Sequence, residues 1–172
     1  TISDVVSYFE EIAPFSLQES YDNAGLQTGD PSQEIASVLV TLDVTEEVIE
    51  EAVSLGANLI VTHHPVIFGG IKRLTGRTTP ERIIIRAVRN NISILAVHTN
   101  LDNIQGGVNS VIADKLGITD CKIIRPMKGK LRKLVTFIPV DYLEPVRRAV
   151  FSAGAGETEN YDQCGFSVEG EG

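Results

Sequence analysis

Cysteine is scarce in this chain of 172 residues. Its two cysteines, Cys121 and Cys164, lie far apart and form no Cys-x-x-Cys pair, which argues against a disulfide framework and against a cysteine zinc site. A reducing compartment is therefore expected. The first residues, TISD, also lack the basic and then apolar stretch of a secretory signal. Together these absences predict a cytoplasmic protein.

Basic residues and long hydrophobic runs are also few. Fifteen Lys and Arg stand against 23 Asp and Glu, for a net charge of −8. This balance argues against general nucleic-acid binding, which needs cations to replace phosphate counterions, but it allows a small anionic ligand held by a few local cations. The longest apolar run, residues 92–97, is interrupted by Ser93 and is too short to cross a bilayer. We therefore expect neither a nucleic-acid partner nor a membrane.

What the chain does contain is a regular alternation of β-branched segments and helical patterns. A first helix, capped by Ser3, precedes the alternation, and further helices are predicted to start at Asp43 or Thr45 and at Thr79. Strands are predicted at residues 37–42, 58–62, 92–97 and 122–125. Strands that alternate with helices predict an α/β fold, in which a mostly parallel sheet carries helices on both faces.

The pattern changes after the first 126 residues. A basic, linker-like stretch leads into an alternating strand pattern at 131–139, and a helix follows with Asp141 and Glu144 as its capping box. One strand and one helix cannot close a core. We therefore divide the chain into an α/β lobe at residues 1–126 and the incomplete first part of a small α+β domain at residues 127–172.

All three histidines follow predicted strands. His63 and His64 come directly after the second strand, and His98 comes after the third, with Asp102 in the same loop. Because the carboxyl ends of parallel strands share one edge of a sheet, these four side chains are expected to converge. Pro65 indicates that the chain is already turning, so both adjacent imidazoles can reach one cleft.

Imidazole and carboxylate groups without thiolate suit Zn²⁺, Mn²⁺, iron or Co²⁺ in an open, reactive site. Two such ions, with Asp102 as a bridge, would activate water and stabilise both the attacking and the leaving oxygen. The alternative is that the histidines only cap the strands and bond to the backbone.

Several polar residues near this edge are candidates for substrate binding. Lys72 and Arg73 lie in the loop after the paired histidines, where they could steer an anionic substrate or could be solvated loop charges. Asn23 follows Asp22 in a turn-rich segment, and it could shape a loop against the site or only turn the chain. Asp43 ends the first strand either as a site residue or as a helix cap.

Three stretches together resemble the Nif-three-like dinuclear metal-centre family, whose bacterial members are called GTP cyclohydrolase I type 2 homologues. They are SYDNAGLQTGD (20–30), VTHHPVIFGGIKRL (61–74) and VHTNLDNIQGGVNSVIADKLGI (97–118). The resemblance implies that His63, His64 and Asp102 are metal ligands, with His98 as a ligand or a supporting group. It also implies two divalent ions (Zn, Fe or Mn) in each complete subunit, and a homohexameric ring.

The resemblance also identifies departures from the family pattern. Tyr21 stands where the family usually has Trp, and no histidine follows His98, although the family completes its site with a His-x-x-x-Glu pair near its C-terminus. Residues 133–172 resemble the first half of a domain inserted in longer members. The resemblance therefore implies a partial chain with about half of the family's ligand set.

Two classes of function follow from these observations. The first is a metal-dependent hydrolase of a nucleotide-like small molecule, GTP cyclohydrolase-like by resemblance, with a phosphoesterase that uses the same metals as a variant of it. The second is a non-enzymatic metal-binding scaffold or regulatory ring protein.

Overall fold

The computed structural model describes residues 1–124, 133–157 and 162–170. The chain divides into two compact units, Thr1–Lys122 and Ile123–Gly172. The predicted domain boundary after residue 126 lies outside the described residues.

A sheet of four strands forms the centre of the first unit. Its strands are β1 (Gly25–Thr28), β2 (Val38–Thr41), β3 (Leu59–Thr62) and β4 (Ser93–Ala96). Their order in the sheet is β1-β4-β3-β2. The last three strands are parallel, with Val38 opposite Leu59 and Leu59 opposite Ser93. β1 runs antiparallel to β4, with Gly25 opposite Ala96. The predicted mostly parallel α/β sheet is confirmed.

The first three helices begin within two residues of their predicted starts, whereas α4 lies in the stretch after the third strand that was expected to be a loop. In the described ranges they are α1 (Ile2–Ile12), α2 (Glu46–Leu55), α3 (Thr79–Arg89), α4 (Thr99–Asp102), α5 (Val108–Leu116) and α6 (Leu143–Ser152), with short 3-10 helices at Phe15–Leu17 and Val140–Tyr142. The N-caps of α1, α2 and α3 are Thr1, Thr45 and Thr78. The caps predicted at Ser3 and Thr79 were therefore wrong, because α1 and α3 begin earlier in the chain. Within the described part of the chain, every helix is too short or too polar to span a membrane.

Helices cover both faces of the sheet. On one face, α2 and α3 pack on Ile60 and Ile94 through a cluster that also contains Ile49, Ala52, Ile83, Ile84 and Ala87. On the other face, α1 packs on Leu59 and Leu95, with Ile2 fully buried. Successive strand residues point to opposite faces, which explains why neighbours such as Leu59 and Ile60 belong to different clusters. Burial of these two clusters anchors the strand ends that carry the histidines.

The fourth strand predicted at 122–125 was wrong in its described part, because residues 122–124 form no strand and Ile124 is fully exposed. The fourth strand is instead β1, a segment that we had expected to be a turn-rich loop. β4 already pairs with β3 on one side and with β1 on the other. No edge of β4 is therefore left for the chain that follows α5.

In its described residues, 123–124, 133–157 and 162–170, the second unit contains little regular structure besides α6. The strand predicted at 131–139 begins outside the described residues, and its described part, 133–139, carries no strand. The predicted capping box is also absent, because α6 begins after Tyr142 without a side-chain cap. The preceding 3-10 turn provides the entry to the helix, and the Glu144 carboxylate pairs with Arg147 one turn further on. The assignment of this unit to an inserted α+β domain stays a prediction.

Candidate metal centre

The parallel strands β3 and β4 place all three histidines at one edge of the sheet. His63 and His64 directly follow β3, and His98 follows β4 after one intervening residue. The ring centroids are 5.0 Å apart for His63 and His64, 5.1 Å for His63 and His98, and 5.5 Å for His64 and His98. One ring nitrogen of each histidine lies within 4.8 Å of the others. These three residues are called the histidine cluster below.

Hydrogen bonds at the end of β3 explain how two adjacent histidines reach the same cleft. The N–H groups of His63 and His64 donate to the carbonyl oxygens of Thr41 and Leu42, at 3.2 and 3.0 Å. The buried Thr62 hydroxyl lies 3.0 Å from the Leu42 carbonyl oxygen and 3.2 Å from that of His64. In a continuing strand, neighbouring side chains would point to opposite faces. The turn made by these contacts brings both rings to one side.

His63 and His64 each use Nδ1 for a hydrogen bond away from the cluster. The Nδ1 atom of His63 is 3.0 Å from the Val97 carbonyl oxygen, and that of His64 is 2.7 Å from the Asp43 carboxylate. A backbone carbonyl and a carboxylate both accept hydrogen bonds, so each Nδ1 is the donor, and in the neutral ring the lone pair lies on Nε2. This is the arrangement in which protein histidines bind metal ions.

His98 has the same arrangement, with a buried carboxylate behind the ring. Its Nδ1 lies 2.8 Å from Asp22 Oδ1, and the Asp22 side chain is fully buried. Burial raises the pKa of Asp22, but hydrogen bonds from the Thr99 hydroxyl, from His98 and from the N–H groups of Asn23 and Thr99 outweigh it, so the pKa of Asp22 is lowered. Asp22 is therefore ionised and can only accept hydrogen bonds.

Asp102 lies beside the histidine cluster at the end of α4. Its Oδ1 atom is 3.8 Å from His63 Nε2, and its side chain is partly exposed. The buried Asn100 holds the start of α4, since its Nδ2 donates to the Ala13 carbonyl oxygen at 2.7 Å and its Oδ1 accepts from the His98 N–H at 2.9 Å. The four residues that the sequence analysis expected to converge therefore do lie close together.

This donor set fits a divalent metal ion. Three imidazole nitrogens and one carboxylate, without thiolate, match the ligands that Zn²⁺, Fe²⁺ and Mn²⁺ accept in reactive sites. A nitrogen set within 4.8 Å suits one ion as well as two ions about 3.5 to 4 Å apart. The histidine cluster could therefore hold a metal.

Comparison with known proteins assigns the chain to a family. The family model described as Duf34/NIF3 (NGG1p interacting factor 3) matches residues 1–171. The chain belongs to the Duf34/NIF3 family. The resemblance stated from the sequence motifs is thereby confirmed.

Relatives from bacteria match over nearly the whole chain. A GTP cyclohydrolase 1 type 2 homolog from Halalkalibacterium halodurans is 43% identical over 169 residues, which are 98% of this chain and 45% of the relative. The corresponding Bacillus subtilis protein is 38% identical, with the same coverage. The crystal structure of a Bacillus cereus protein related to NIF3 matches with a TM-score of 0.77 at 38% identity, over 98% of this chain and 47% of that one. The chain thus spans about half the length of the curated relatives it matches.

The three residues predicted to bind substrate do not share one environment in this Duf34/NIF3 chain. Asn23 donates from Nδ2 to the Ile67 carbonyl oxygen at 2.6 Å, so its side chain ties two loops together. Lys72 and Arg73 are exposed on the loop between β3 and α3. In the part of the chain that the structure describes, no hydrogen bond or ion pair joins either cation to the histidine cluster. Substrate binding by these three residues stays a prediction.

Two aromatic rings beside the cluster were not recognised from the sequence as site residues. The Phe68 ring lies 6.2 Å from the His98 ring, and the Tyr21 ring lies 6.3 Å from Phe68, measured between centroids. Both side chains are more than half exposed. The available signal was that Phe68 belongs to the loop that begins with the paired histidines.

The sequence analysis also left the role of Asp43 open between site residue and helix cap. Thr45 is the cap, because its hydroxyl accepts from the Val48 N–H at 3.3 Å. Asp43 instead contacts His64. The available signal was that Thr45, two residues further on, could cap the helix, which left Asp43 free for another role.

Proposed function

We propose that this protein is a metal-dependent hydrolase of a nucleotide-like small molecule, with His63, His64, His98 and Asp102 as ligands of two divalent ions. The observation that carries the proposal is the convergence of three imidazoles whose Nδ1 atoms are all occupied elsewhere. Each ring therefore offers Nε2 to the cluster. Zinc, iron and manganese are the expected metals.

The protein's own residues would hold the reacting groups. Divalent ions at this position would lower the pKa of bound water and polarise an electrophilic carbon or phosphorus centre. Asp102, at 3.8 Å from His63 Nε2 and partly exposed, would help to hold the ions or would accept a proton from the incoming water. The hydrogen bonds of the three Nδ1 atoms would keep the rings in position during turnover.

The surroundings of the cluster support a planar, anionic substrate. Phe68 exposes aromatic surface next to His98, and Tyr21 does so next to Phe68; aromatic rings bind nucleobases by stacking. Lys72 and Arg73 would provide local positive charge in a protein with a net charge of −8. The relatives' name, GTP cyclohydrolase 1 type 2 homolog, makes GTP the first substrate to test.

A second candidate function is a non-enzymatic metal-binding scaffold, assembled as a homohexameric ring. It is favoured by the apolar side chains that α5 exposes, Val111, Ile112 and Leu116, each about half exposed or more. Exposed apolar patches often mark contacts between proteins. For either function we propose a cytoplasmic location, as predicted from the sequence.

The deciding experiment measures turnover in the presence of Mn²⁺ or Zn²⁺. GTP and a chromogenic phosphodiester are supplied in parallel to the protein and to the double variant His63→Ala plus His64→Ala. We expect turnover of GTP with formate release, and its loss in the double variant. Faster turnover of the phosphodiester would identify a phosphoesterase that uses the same residues.

Two outcomes would contradict the hydrolase proposal. Turnover that persists in the double variant would show that the histidine cluster is not the active site. Metal binding without turnover of either substrate would favour the scaffold, and native mass spectrometry would then report the number of subunits and ions.

A further inference from the structure

Asp22 is a buried acid whose four hydrogen-bond contacts are all with donors. Its Oδ1 accepts from His98 Nδ1 at 2.8 Å and from the Asn23 N–H at 2.7 Å. Its Oδ2 accepts from the Thr99 N–H at 3.0 Å and from the Thr99 hydroxyl. A buried carboxylate is costly unless its oxygens are satisfied. Here both oxygens are satisfied by groups that surround a single histidine.

Because Asp22 only accepts hydrogen bonds, its contact with His98 determines which ring nitrogen carries the hydrogen. A neutral imidazole has one nitrogen with a hydrogen and one with a lone pair. Because the carboxylate only accepts, the hydrogen belongs on Nδ1 and the lone pair on Nε2. Asp22 also holds the Thr99 backbone that follows the ring, so it restrains both the ring and the main chain from a position 76 residues earlier.

The contact of Asp43 with His64 is similar in distance but different in environment. Nδ1 and Oδ1 are 2.7 Å apart, yet 46% of the His64 side chain and 60% of the Asp43 side chain are exposed. Water competes for such a contact and screens it. The Asp22 contact has no such competition, since the carboxylate is fully buried.

We propose that Asp22 is a positioning residue, which fixes the Nδ1–H tautomer of His98 and directs its Nε2 into the histidine cluster before any metal binds. Its purpose rests on the proposed metal-dependent function, but the tautomer is a property of the metal-free protein. Asp43 does the same for His64 more weakly.

Two substitutions test this role: Asp22→Ala removes both acceptor oxygens, and Asp22→Asn keeps the shape and replaces one acceptor oxygen by an NH₂ group. Whichever way the amide is turned, the N–H of either Asn23 or Thr99 loses its acceptor. If the NH₂ group faces His98, it donates to Nδ1 and forces the hydrogen onto Nε2. The tautomer that binds metal is then lost.

The experiment records two-bond ¹H–¹⁵N correlations of the histidine rings in the full, metal-free chain at about pH 8, where an ordinary histidine is neutral. The protein, Asp22→Ala, Asp22→Asn and the matched variant Asp43→Asn are compared. We expect His98 to be in the Nδ1–H form in the protein and in Asp43→Asn, and to lose this preference in Asp22→Ala and wherever the NH₂ group of Asp22→Asn faces the ring. Zn²⁺ titration should show affinity about 10- to 100-fold lower for Asp22→Asn, and a smaller loss for Asp43→Asn.

The outcomes separate this proposal from the proposed function. A wild-type His98 in the Nε2–H form would overturn the positioning role without any variant, even if Asp22→Asn failed to fold. An unchanged His98 tautomer in folded Asp22→Ala, where Nδ1 has lost its acceptor, would overturn it too. If the tautomer shifts as expected but the wild-type chain binds no Zn²⁺, the positioning role holds and the metal-dependent function fails.

Discussion

Gly29 approaches Ser93 so closely that a Cβ atom on Gly29 would lie 1.9 Å from the Ser93 Oγ. Gly29 directly follows β1, and Ser93 is the fully buried first residue of β4. Gly29 also has a φ of +120°, which residues with a side chain rarely adopt. A glycine is required where the chain leaves β1, and β1 in turn holds the segment that carries Asp22.

Gly29→Ala should therefore destabilise the protein more than Gly25→Ala. Gly25 has a similar φ of +126°, but nothing lies within 4 Å of its Cβ position. Gly25→Ala should cost about 1 to 3 kcal/mol of unfolding free energy through backbone strain alone, and Gly29→Ala about 1 to 3 kcal/mol more through overpacking. Urea unfolding measures both. Equal losses of unfolding free energy in the two variants would show that the contact between the added Cβ atom and Ser93 is relieved without cost.

Glu81 should make the stability of the loop before α3 depend on pH. Its carboxylate accepts from the Thr75 N–H and hydroxyl, the Arg77 N–H and the Thr78 hydroxyl. The Thr75 backbone bond is the largest of the effects that lower the pKa of Glu81 from 4.5 to about 2. A carboxyl with a lowered pKa stabilises the fold above its unfolded pKa, and this contribution is lost as the pH falls towards the folded pKa.

Glu81→Gln should consequently be less stable than the wild type at pH 7, and the difference should shrink between about pH 4.5 and about pH 2. Thermal unfolding followed by circular dichroism across this range measures the difference. The interpretation fails if the two proteins differ by the same amount at every pH.

Asn23 should link the segment that contains Asp22 to the loop that contains the paired histidines. Asn23→Asp places an oxygen against the Ile67 carbonyl oxygen, where Nδ2 donates at 2.6 Å. The substitution should lower the free energy of unfolding by about 1 to 3 kcal/mol. Hydrogen exchange should also become faster at the Ile67 amide, which donates to Gln27 Oε1 at 3.0 Å.

Asn90→Asp is a matched control for this substitution. Asn90 also donates from Nδ2 to a backbone carbonyl oxygen, that of Arg86 at 2.8 Å, but only one helical turn away. Exchange at Ile67 should not change in this variant. A similar acceleration in both variants would mean that Asn23 does not connect the two loops.

Phe68→Ala should weaken the binding of a nucleotide without changing the affinity for metal. Stacking of one base on an aromatic ring contributes about 1 to 3 kcal/mol, so the dissociation constant for GTP in the presence of Mn²⁺ should rise about 5- to 100-fold. Calorimetric titration measures GTP and Mn²⁺ separately. Leu74→Ala is the control, since Leu74 lies on the same loop with a comparable exposed fraction. Equal effects of both variants on GTP would count against a stacking role.

Local patterns were sufficient to predict most of the sheet and its helices. The strands expected at 58–62 and 92–97 are Leu59–Thr62 and Ser93–Ala96, and Gly56 ends α2 as a left-handed cap with φ +66°. Strand segments and helix caps of this kind depend on residues that are neighbours in the chain. The convergence of His63 and His98 could also be predicted, because it follows from the parallel direction of β3 and β4.

The tertiary structure alone decided which segments complete the sheet and the site. β1 is four residues of GLQT whose strand conformation depends on pairing with β4, about 70 residues further along the chain. Asp22 and Asp43 were visible as acidic residues, but their contacts with His98 and His64 span 76 and 21 residues. The sequence by itself determined which side chains could bind a metal, because the ligand chemistry of imidazole and carboxylate belongs to the residue type. Their tautomers and orientation are determined by long-range hydrogen bonds that exist only once the chain has folded.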